Sequence, residues 1–382
     1  MNRRLRHLLT VCALSLNLML TGCWDRIESE NRLFVMVVGV DKYESEKTET
    51  KEDEKDRVRM TYLLPKFSAV QDYEEGVDSR QLRTSVGSTA YEATRKLSKR
   101  DDSQPFFQHM KAAIVSVDIA REKDDFLETL DGLERQDEIS RKLHILIAEN
   151  PASEILQVES LLKPLSYKLQ GMSSGNIGSN YFIPKTLEEV ITSVSQGATL
   201  IPKIRSSKTE ISVAGSAIIK KEEFIGWLGE EDTKSVAFLT DVVKQDIMQV
   251  EHKGTAIPYI IKGVKTDKSA SVEDGRININ ILLTVRGDIQ QYKVNEYPRL
   301  TDRKLLKDIE KLIQKDMTQD LNHTINKLQN EINADVLDID IYLRGHYPDI
   351  WEQVEKDWDV VFPKVKVNVR VDPYIEKIGS IK

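Results

Sequence analysis

Cysteine is almost absent from this sequence, whose 382 residues include only Cys12 and Cys23. Cys12 lies within the apolar segment that opens the chain, so processing of that segment would leave Cys23 as the single thiol. An intramolecular disulfide is then excluded, and a fold outside the cytoplasm would depend on its hydrophobic core. A chain of this length can build two or three such cores.

The sequence also lacks the short motifs of the common catalytic sites. It contains no G-x-S-x-G, H-E-x-x-H, Walker A or C-x-x-C pattern. The histidines beyond the opening segment are never three or four residues apart, so their spacing predicts no metal site. We therefore predict that the protein is not an enzyme and holds no cofactor or metal. The histidines concerned are His109, His144, His252, His323 and His346.

Two weaker candidates for chemistry have plainer interpretations. The glycines of 171–178 are not followed by Lys and Ser or Thr, which favours an ordinary loop over a phosphate cradle. Asp338, Asp340 and Asp349 could supply paired acids for glycoside hydrolysis. Such a site requires a defined separation between the two acids, which the sequence does not specify. A solvated acidic face is the favoured interpretation of these three carboxylates.

The sequence has fewer basic than acidic residues. The formal net charge is −7, and three of the bases, Arg3, Arg4 and Arg6, lie in the first 22 residues with no acid beside them. Removal of that segment would make the remaining chain more acidic still. Nucleic-acid binding needs a basic face, so the charge balance argues against a nucleic-acid partner.

Long hydrophobic runs are missing, apart from a 13-residue apolar stretch at 8–20 that follows the basic start. A membrane span needs about 20 residues, so this stretch suits a signal peptide, residues 1–22. It ends in Leu20, Thr21, Gly22 and Cys23, which match the lipobox of bacterial lipoproteins. That resemblance implies lipid attachment to the Cys23 sulfur, cleavage before Cys23 and a tether on the outer face of a membrane. A chance cysteine after an ordinary signal, or an uncleaved anchor, is the alternative.

Residue patterns after the signal predict a mixed α/β or α+β fold with about three domains. We expect small mixed or antiparallel sheets with flanking helices. The boundaries predicted are an N-terminal α/β domain at 23–204, a small middle domain at 205–260 and a C-terminal domain at 261–382. No glycine fingerprint joins a strand to a helix, so a Rossmann unit is not indicated.

Within the N-terminal domain, apolar runs and periodicities predict individual elements. The run at 33–40 predicts a buried strand, and 58–64 its antiparallel return, with a charged surface loop at 42–57 between them. Further predicted strands lie at 112–117 and 143–149. Helices are predicted at 85–97, 124–133, 152–162 and 186–194.

The C-terminal third predicts two strands followed by a long helix. Apolar residues alternate at 277–285, and an apolar stripe at helical spacing starts at Asp302 and runs past Asn330. The stripe is expected to be core, with a coiled-coil interface as the alternative. Trp351 and Trp358 are seven residues apart, and packing is favoured over a sugar-stacking platform for them.

Three separated groups of residues resemble the Ger(x)C family, the C-subunit lipoproteins of spore germinant receptors. The similarity preserves the order of features over essentially the whole chain. The opening group is Cys23, Trp24, Asp25, Gly39, Asp41 and Lys42; the middle group is Gly226, Leu228 and Glu231; the closing group is Ala334, Asp335, Tyr347, Pro348, Trp351, Asp357 and Trp358.

The resemblance implies a non-enzymatic subunit required for the assembly or signalling of a nutrient germinant receptor in spore germination. Its partners would be the receptor A and B membrane subunits, at the cell membrane or spore inner membrane of an endospore-forming bacterium. Direct binding of a small molecule stays open. The alternative function is a solute-binding lipoprotein of a transporter; a cell-wall hydrolase is supported least.

One segment departs from the family pattern. Leu337, Ile339, Ile341 and Leu343 alternate strictly with polar residues or a tyrosine, which predicts a strand over 336–343. The family resemblance favours a helix there, and helix is our expectation.

Overall fold

The computed structural model describes residues 32–43, 57–65, 80–101, 103–158, 181–243, 245–289 and 303–378, with residues 4 and 171. Cys23 and the lipobox, most of the charged 42–57 loop and all of 170–180 except Gly171 lie outside the described residues. The predicted mixed α/β class is confirmed by three sheets of two, eight and four strands with helices around them.

The elements are numbered in chain order. The strands are β1 Arg32–Phe34, β2 Val37–Lys42, β3 Val58–Pro65, β4 Arg80–Gly87, β5 Gln104–Phe106, β6 Ala112–Ser116, β7 His144–Ala148, β8 Ala198–Ser206, β9 Ile211–Lys220, β10 Glu223–Leu228, β11 Asp246–His252, β12 Thr255–Glu273, β13 Arg276–Ile289 and β14 Lys366–Ile378. The helices are α1 Ala90–Arg100, α2 Val117–Ala120, α3 Lys123–Glu134, α4 Ala152–Gln157, α5 Leu187–Gln196, α6 Glu230–Leu239, α7 Arg303–Asn326, α8 Ile339–His346, α9 Pro348–Val354 and α10 Trp358–Val361.

The largest sheet has the order β10-β9-β8-β7-β6-β2-β3-β4. Its middle strands β8, β7, β6 and β2 are parallel, and antiparallel strands extend it on both sides. Parallel strands covered on both faces are apolar almost throughout, as β2 and β6 are. The predicted antiparallel pairing of the first two apolar runs is confirmed, with Val40 opposite Met60.

The helix predicted from residue 85 starts later. Residues up to Gly87 continue β4, in which Ser85 lies opposite Met60. Thr89 then caps α1 by accepting a hydrogen bond from the Glu92 amide at 3.1 Å. The cap sets the start of the helix, and the residues before the cap belong to β4 at the edge of the sheet.

The second large sheet has the order β11-β12-β13-β14 and carries α7 on one face. β12 and β13 form one long hairpin that turns at Asp274 and Gly275, both with positive φ. The predicted long helix is confirmed, and its apolar stripe is buried in the core of the same chain. The buried stripe of α7 contains Leu305, Ile309, Ile313, Met317, Leu321 and Ile325.

The strand that the alternating pattern predicts over 336–343 is not formed. The helix expected from the family resemblance is present from Ile339 onward. α7 continues into a π-helix at Lys327–Ile332, which ends at Asn333 in the left-handed conformation. A non-helical link leads to Asp338, also left-handed, and α8 begins at Ile339. In α8, Ile339 and Leu343 face the core one turn apart while Ile341 is 44% exposed, which is helical and not strand geometry.

The segment at 205–260 contributes to both large sheets. Its strands β9 and β10 pair within the eight-stranded sheet, whereas β11 and the start of β12 belong to the four-stranded sheet. α6 lies between them and packs against both β9 and α7. The predicted domain boundaries stay a prediction.

Candidate functional site

The opening signature residues hold α4 against the centre of the eight-stranded sheet. The buried Asp41 carboxylate accepts hydrogen bonds from the amides of Ala152 and Ser153, at 2.6 and 2.9 Å. These amides are unpaired donors of the first turn of α4. A Cβ on Gly39 would lie 3.0 Å from Ala152 Cβ, so glycine permits this close approach. Gly39 and Asp41 therefore serve packing and capping in this structure.

Two of the closing signature residues, Asp335 and Trp358, meet at one buried carboxylate. Asp335 accepts hydrogen bonds from the amides of Leu337, Ile339 and Asp340 at 3.2, 3.3 and 2.9 Å. The Trp358 indole Nε1 donates to the same carboxylate at 3.1 Å. Asp335 thus fixes the link between α7 and α8 and attaches α10 to it.

The two closing tryptophans form a packed pair. The Trp351 and Trp358 rings meet edge to face with centroids 5.4 Å apart, and the Arg344 guanidinium lies 5.1 Å from the Trp351 ring centre. Trp351 is only 7% exposed. A sugar-stacking platform requires an open ring face, so this geometry corresponds to packing.

Burial and the neighbouring Asp340 carboxylate raise the pKa of Asp335 to about 7, against the opposite effect of its amide donors. A carboxyl whose pKa is raised on folding binds its proton more tightly in the folded state. Its contribution to stability is therefore greatest below the unfolded pKa, near 4, and is lost as pH rises through 7.

The Asp335→Asn variant should lose this pH dependence. We expect the free energy of unfolding of the native chain to fall between pH 5 and pH 8, by about 2 kcal/mol from this group. Asp335→Asn cannot ionise, so its urea midpoint should change much less over that range. The matched control is Asp349→Asn, on an exposed residue of α9, which should keep the native slope. Equal slopes in native and Asp335→Asn chains would refute the assignment.

Two groups of polar contacts tie the two large sheets together, and we call them the inter-sheet joint: Lys220, Asp232, Lys327, Asn333 and Asp359. At the end of β9, Lys220 Nζ donates to the Asn333 carbonyl at 2.5 Å and pairs with Asp359 at 2.8 Å. On α6, Asp232 pairs with Lys327 at 2.5 Å. These contacts fix β9 and α6 to the π-helix that follows α7 and to α10.

The joint also has an apolar part, because one continuous core crosses it. Leu200, Ile218 and Leu228 of the eight-stranded sheet belong to the same buried cluster as Phe238 of α6 and Leu328 of the π-helix. A shift of one sheet relative to the other would therefore expose apolar surface. The structure favours a fixed relation between the two sheets.

A cleft of about 770 Å³ opens beside the joint, between α6, α7, β11 and β12. Ligand sites in proteins commonly have volumes of about 300–1,000 Å³. Its wall contains an ion pair between Lys234 and Asp246 at 2.7 Å. Burial and the nearby Asp316 raise the pKa of Asp320, whereas Lys234 lowers it. The apolar lining includes Phe238, Met248, Pro258, Ile261, Met317 and Leu321.

The chemistry of the cleft suits a small polar or cationic molecule with an apolar part. The carboxylates of Glu231, Asp316 and Asp320 border it together with the Lys234–Asp246 pair. This cleft was not predictable from the sequence, because its residues come from four elements and share no local pattern. In the sequence, only the acidic pair Asp316 and Asp320, one helical turn apart on α7, could have indicated this cleft.

Clustered metal ligands and membrane-spanning helices are both absent from the described part of the chain. In those residues, no group of three or more His, Cys, Asp or Glu side chains is placed to hold a metal ion. None of the described helices combines the length and apolarity needed to cross a bilayer. The predicted lipid-attachment residues, Cys23 with Leu20, Thr21 and Gly22, lie outside the described ranges and remain a prediction.

Comparison with known proteins gives matches along almost the entire chain. Residues 25–206 match a family described as the spore germination protein N-terminal domain. Residues 214–379 match the family described as spore germination B3/GerAC like, C-terminal.

Full-length relatives and one solved structure agree with these matches. The chain is 23% identical to the spore germination protein YndF of Bacillus subtilis, over 100% of this chain and 98% of that protein. It is 22% identical to spore germination protein B3 of the same organism, over 95% and 96% of the two chains. The crystal structure of the GerBC protein superposes with a TM-score of 0.61 at 19% identity, covering 89% of this chain and 97% of that one. The structural likeness supports the fold.

Proposed function

Because the chain belongs to the Ger(x)C family of spore germination proteins, we propose that it is the lipid-anchored C subunit of a nutrient germinant receptor. The observation that carries the proposal is the end-to-end match to germination proteins of nearly equal length. The lipobox at Leu20 to Cys23 supports attachment to the outer face of the cell membrane or spore inner membrane.

The partners we propose are the A and B membrane subunits of the receptor, with this chain required for assembly or signalling. A non-enzymatic role is in keeping with the sequence, which lacks the common catalytic motifs. The inter-sheet joint supports a rigid body that can hold two partner surfaces at a fixed separation. Stable interfaces of that kind bury about 1,600 Å² in total, which a chain of this size can provide.

Isolation of the tagged chain from detergent-solubilised spore inner membrane tests this proposal. The A and B subunits should be recovered with it, and deletion of both should lower its amount in spores. Unchanged abundance together with unchanged germination in the deletion strain would contradict the proposal.

The cleft beside the joint supports a second candidate, a solute-binding lipoprotein. Such proteins enclose a ligand between two similar lobes, whereas the sheets here have eight and four strands. Calorimetry with the full chain separates the candidates. Tight binding of a nutrient by this chain alone would favour the solute-binding protein.

A further inference from the structure

Helix α1 is strongly basic in an acidic protein. Its 11 residues carry four bases and one acid, whereas the whole chain has a net charge of −7. The single acid, Glu92, accepts a hydrogen bond from the Ser88 amide at 2.9 Å and pairs with Lys96 at 3.6 Å. Arg95, Lys99 and Arg100 remain as surplus positive charge.

The surplus charge lies on one exposed face. Ala93 and Leu97 are buried beneath the helix, whereas Tyr91, Arg95 and Lys99 are exposed at intervals of four residues. We call these three residues the basic face; its Tyr91 is 69% exposed. Neither Arg95 nor Lys99 forms an ion pair with a residue that the structure describes.

Described acids beside α1 form ion pairs with other bases. On the β4 side, Asp101 pairs with Arg83 at 3.6 Å. α3 packs against α1, and its acids Asp131 and Glu134 pair with Arg135 and Arg141 at 2.6 and 2.9 Å. Among the residues that the structure describes, none of these acids is left to cancel the positive potential of the basic face.

The basic face lies near the point where the chain arrives from Cys23. Arg32, the first residue of β1, pairs with Gln104 of β5, only four residues after Arg100. The end of α1 is therefore within about 20 Å of Arg32. Cys23 precedes Arg32 by nine residues, which span at most about 32 Å. A lipid on Cys23 would thus hold this end of the molecule close to the bilayer.

We propose that the basic face of α1 rests on the anionic headgroups of the membrane that holds the lipid anchor. The inference depends on the proposed lipid attachment and adds which surface of the protein meets the bilayer. Arg95 and Lys99 would contact lipid phosphates, and Tyr91 suits the headgroup level as an amphipathic ring. The β4 edge of the eight-stranded sheet then faces the membrane.

A fluorescent probe on a Tyr91→Cys variant of the lipidated chain tests this contact. The chain is reconstituted into vesicles of phosphatidylcholine with or without phosphatidylglycerol, and quenching by headgroup-labelled lipid is measured. Quenching should be strong only with phosphatidylglycerol and should weaken with added salt. A probe on Val272→Cys, which is 52% exposed on β12, should be quenched little in either vesicle.

Charge reversal gives the decisive comparison. Arg95→Glu with Lys99→Glu should reduce the contact by about tenfold or more, since each basic residue near an anionic surface contributes about fivefold. The matched control reverses Lys311 and Lys315, two exposed lysines one turn apart on α7, and should leave quenching unchanged.

Two other outcomes would contradict the proposed contact, and flotation of the chain with the vesicles distinguishes them. Chain that floats with vesicles but shows equal quenching at the two probe sites, or equal quenching without phosphatidylglycerol, contradicts the basic-face contact and leaves the receptor role intact. Chain that fails to float lacks the lipid anchor, and both proposals fail.

Discussion

A Cys23→Ala chain should disappear from the membrane fraction of spores or accumulate as an uncleaved precursor. Lipid attachment requires the thiol as acyl acceptor, and Cys23 is the only cysteine after the apolar segment. Each buried CH₂ of an acyl chain contributes about 0.8 kcal/mol, so loss of two chains should lower membrane partitioning by more than about a thousandfold. Fractionation followed by mass spectrometry of the N-terminus measures both outcomes.

The matched control is Cys12→Ala. Cys12 lies inside the apolar stretch and should be removed with it, so this variant should be cleaved and retained like the native chain. A Cys23→Ala chain that is cleaved at the same place and retained to the same extent would show that the lipoprotein assignment is wrong.

An Asp232→Ala variant should destabilise the protein by about 3 kcal/mol, because it removes one side of the inter-sheet joint. The Asp232 side chain is 12% exposed, and it accepts from Thr324 Oγ1 at 2.9 Å while pairing with Lys327. Its removal leaves the half-buried Lys327 ammonium without its partner. Urea unfolding at neutral pH measures the change.

The control for this variant is Asp118→Ala. Asp118 forms an ion pair with Arg121, but both side chains are more than half exposed, so the change should stay within about 0.5 kcal/mol. The loss of stability in Asp232→Asn should lie between the losses in Asp232→Ala and Asp118→Ala, because the amide oxygen can still accept from Thr324. A loss below 0.5 kcal/mol in Asp232→Ala would mean that the apolar core alone holds the sheets together.

Elements with strong local patterns were predictable from the sequence. The apolar run of β2 and the helical stripe of α7 each extend over enough residues to select one structure. The alternating pattern over 336–343 predicted a strand wrongly, because four apolar residues at every second position are compatible with a strand or with a short helix. There, the buried Asp335 accepts from one amide of the link and from the first two amides of α8, which sets the start of that helix.

The candidate site was predictable only in part. The family resemblance drew attention to Asp41, Asp335 and Trp358, but their roles depend on partners such as Ala152, 111 positions away from Asp41. The joint pairs Lys220 with Asp359, and the cleft combines four elements; neither leaves a pattern in adjacent residues. Contacts of this kind follow from the tertiary fold and not from local periodicity.

The proposed role of this chain is that of the lipid-anchored subunit of a membrane receptor complex. Its most direct test is affinity isolation of the tagged chain from solubilised spore inner membrane, with the Cys23→Ala chain and an unrelated tagged lipoprotein as controls. We expect to recover the A and B subunits in amounts comparable to the tagged chain, and far less of them with either control. Recovery of the native chain from the membrane without either subunit would contradict it.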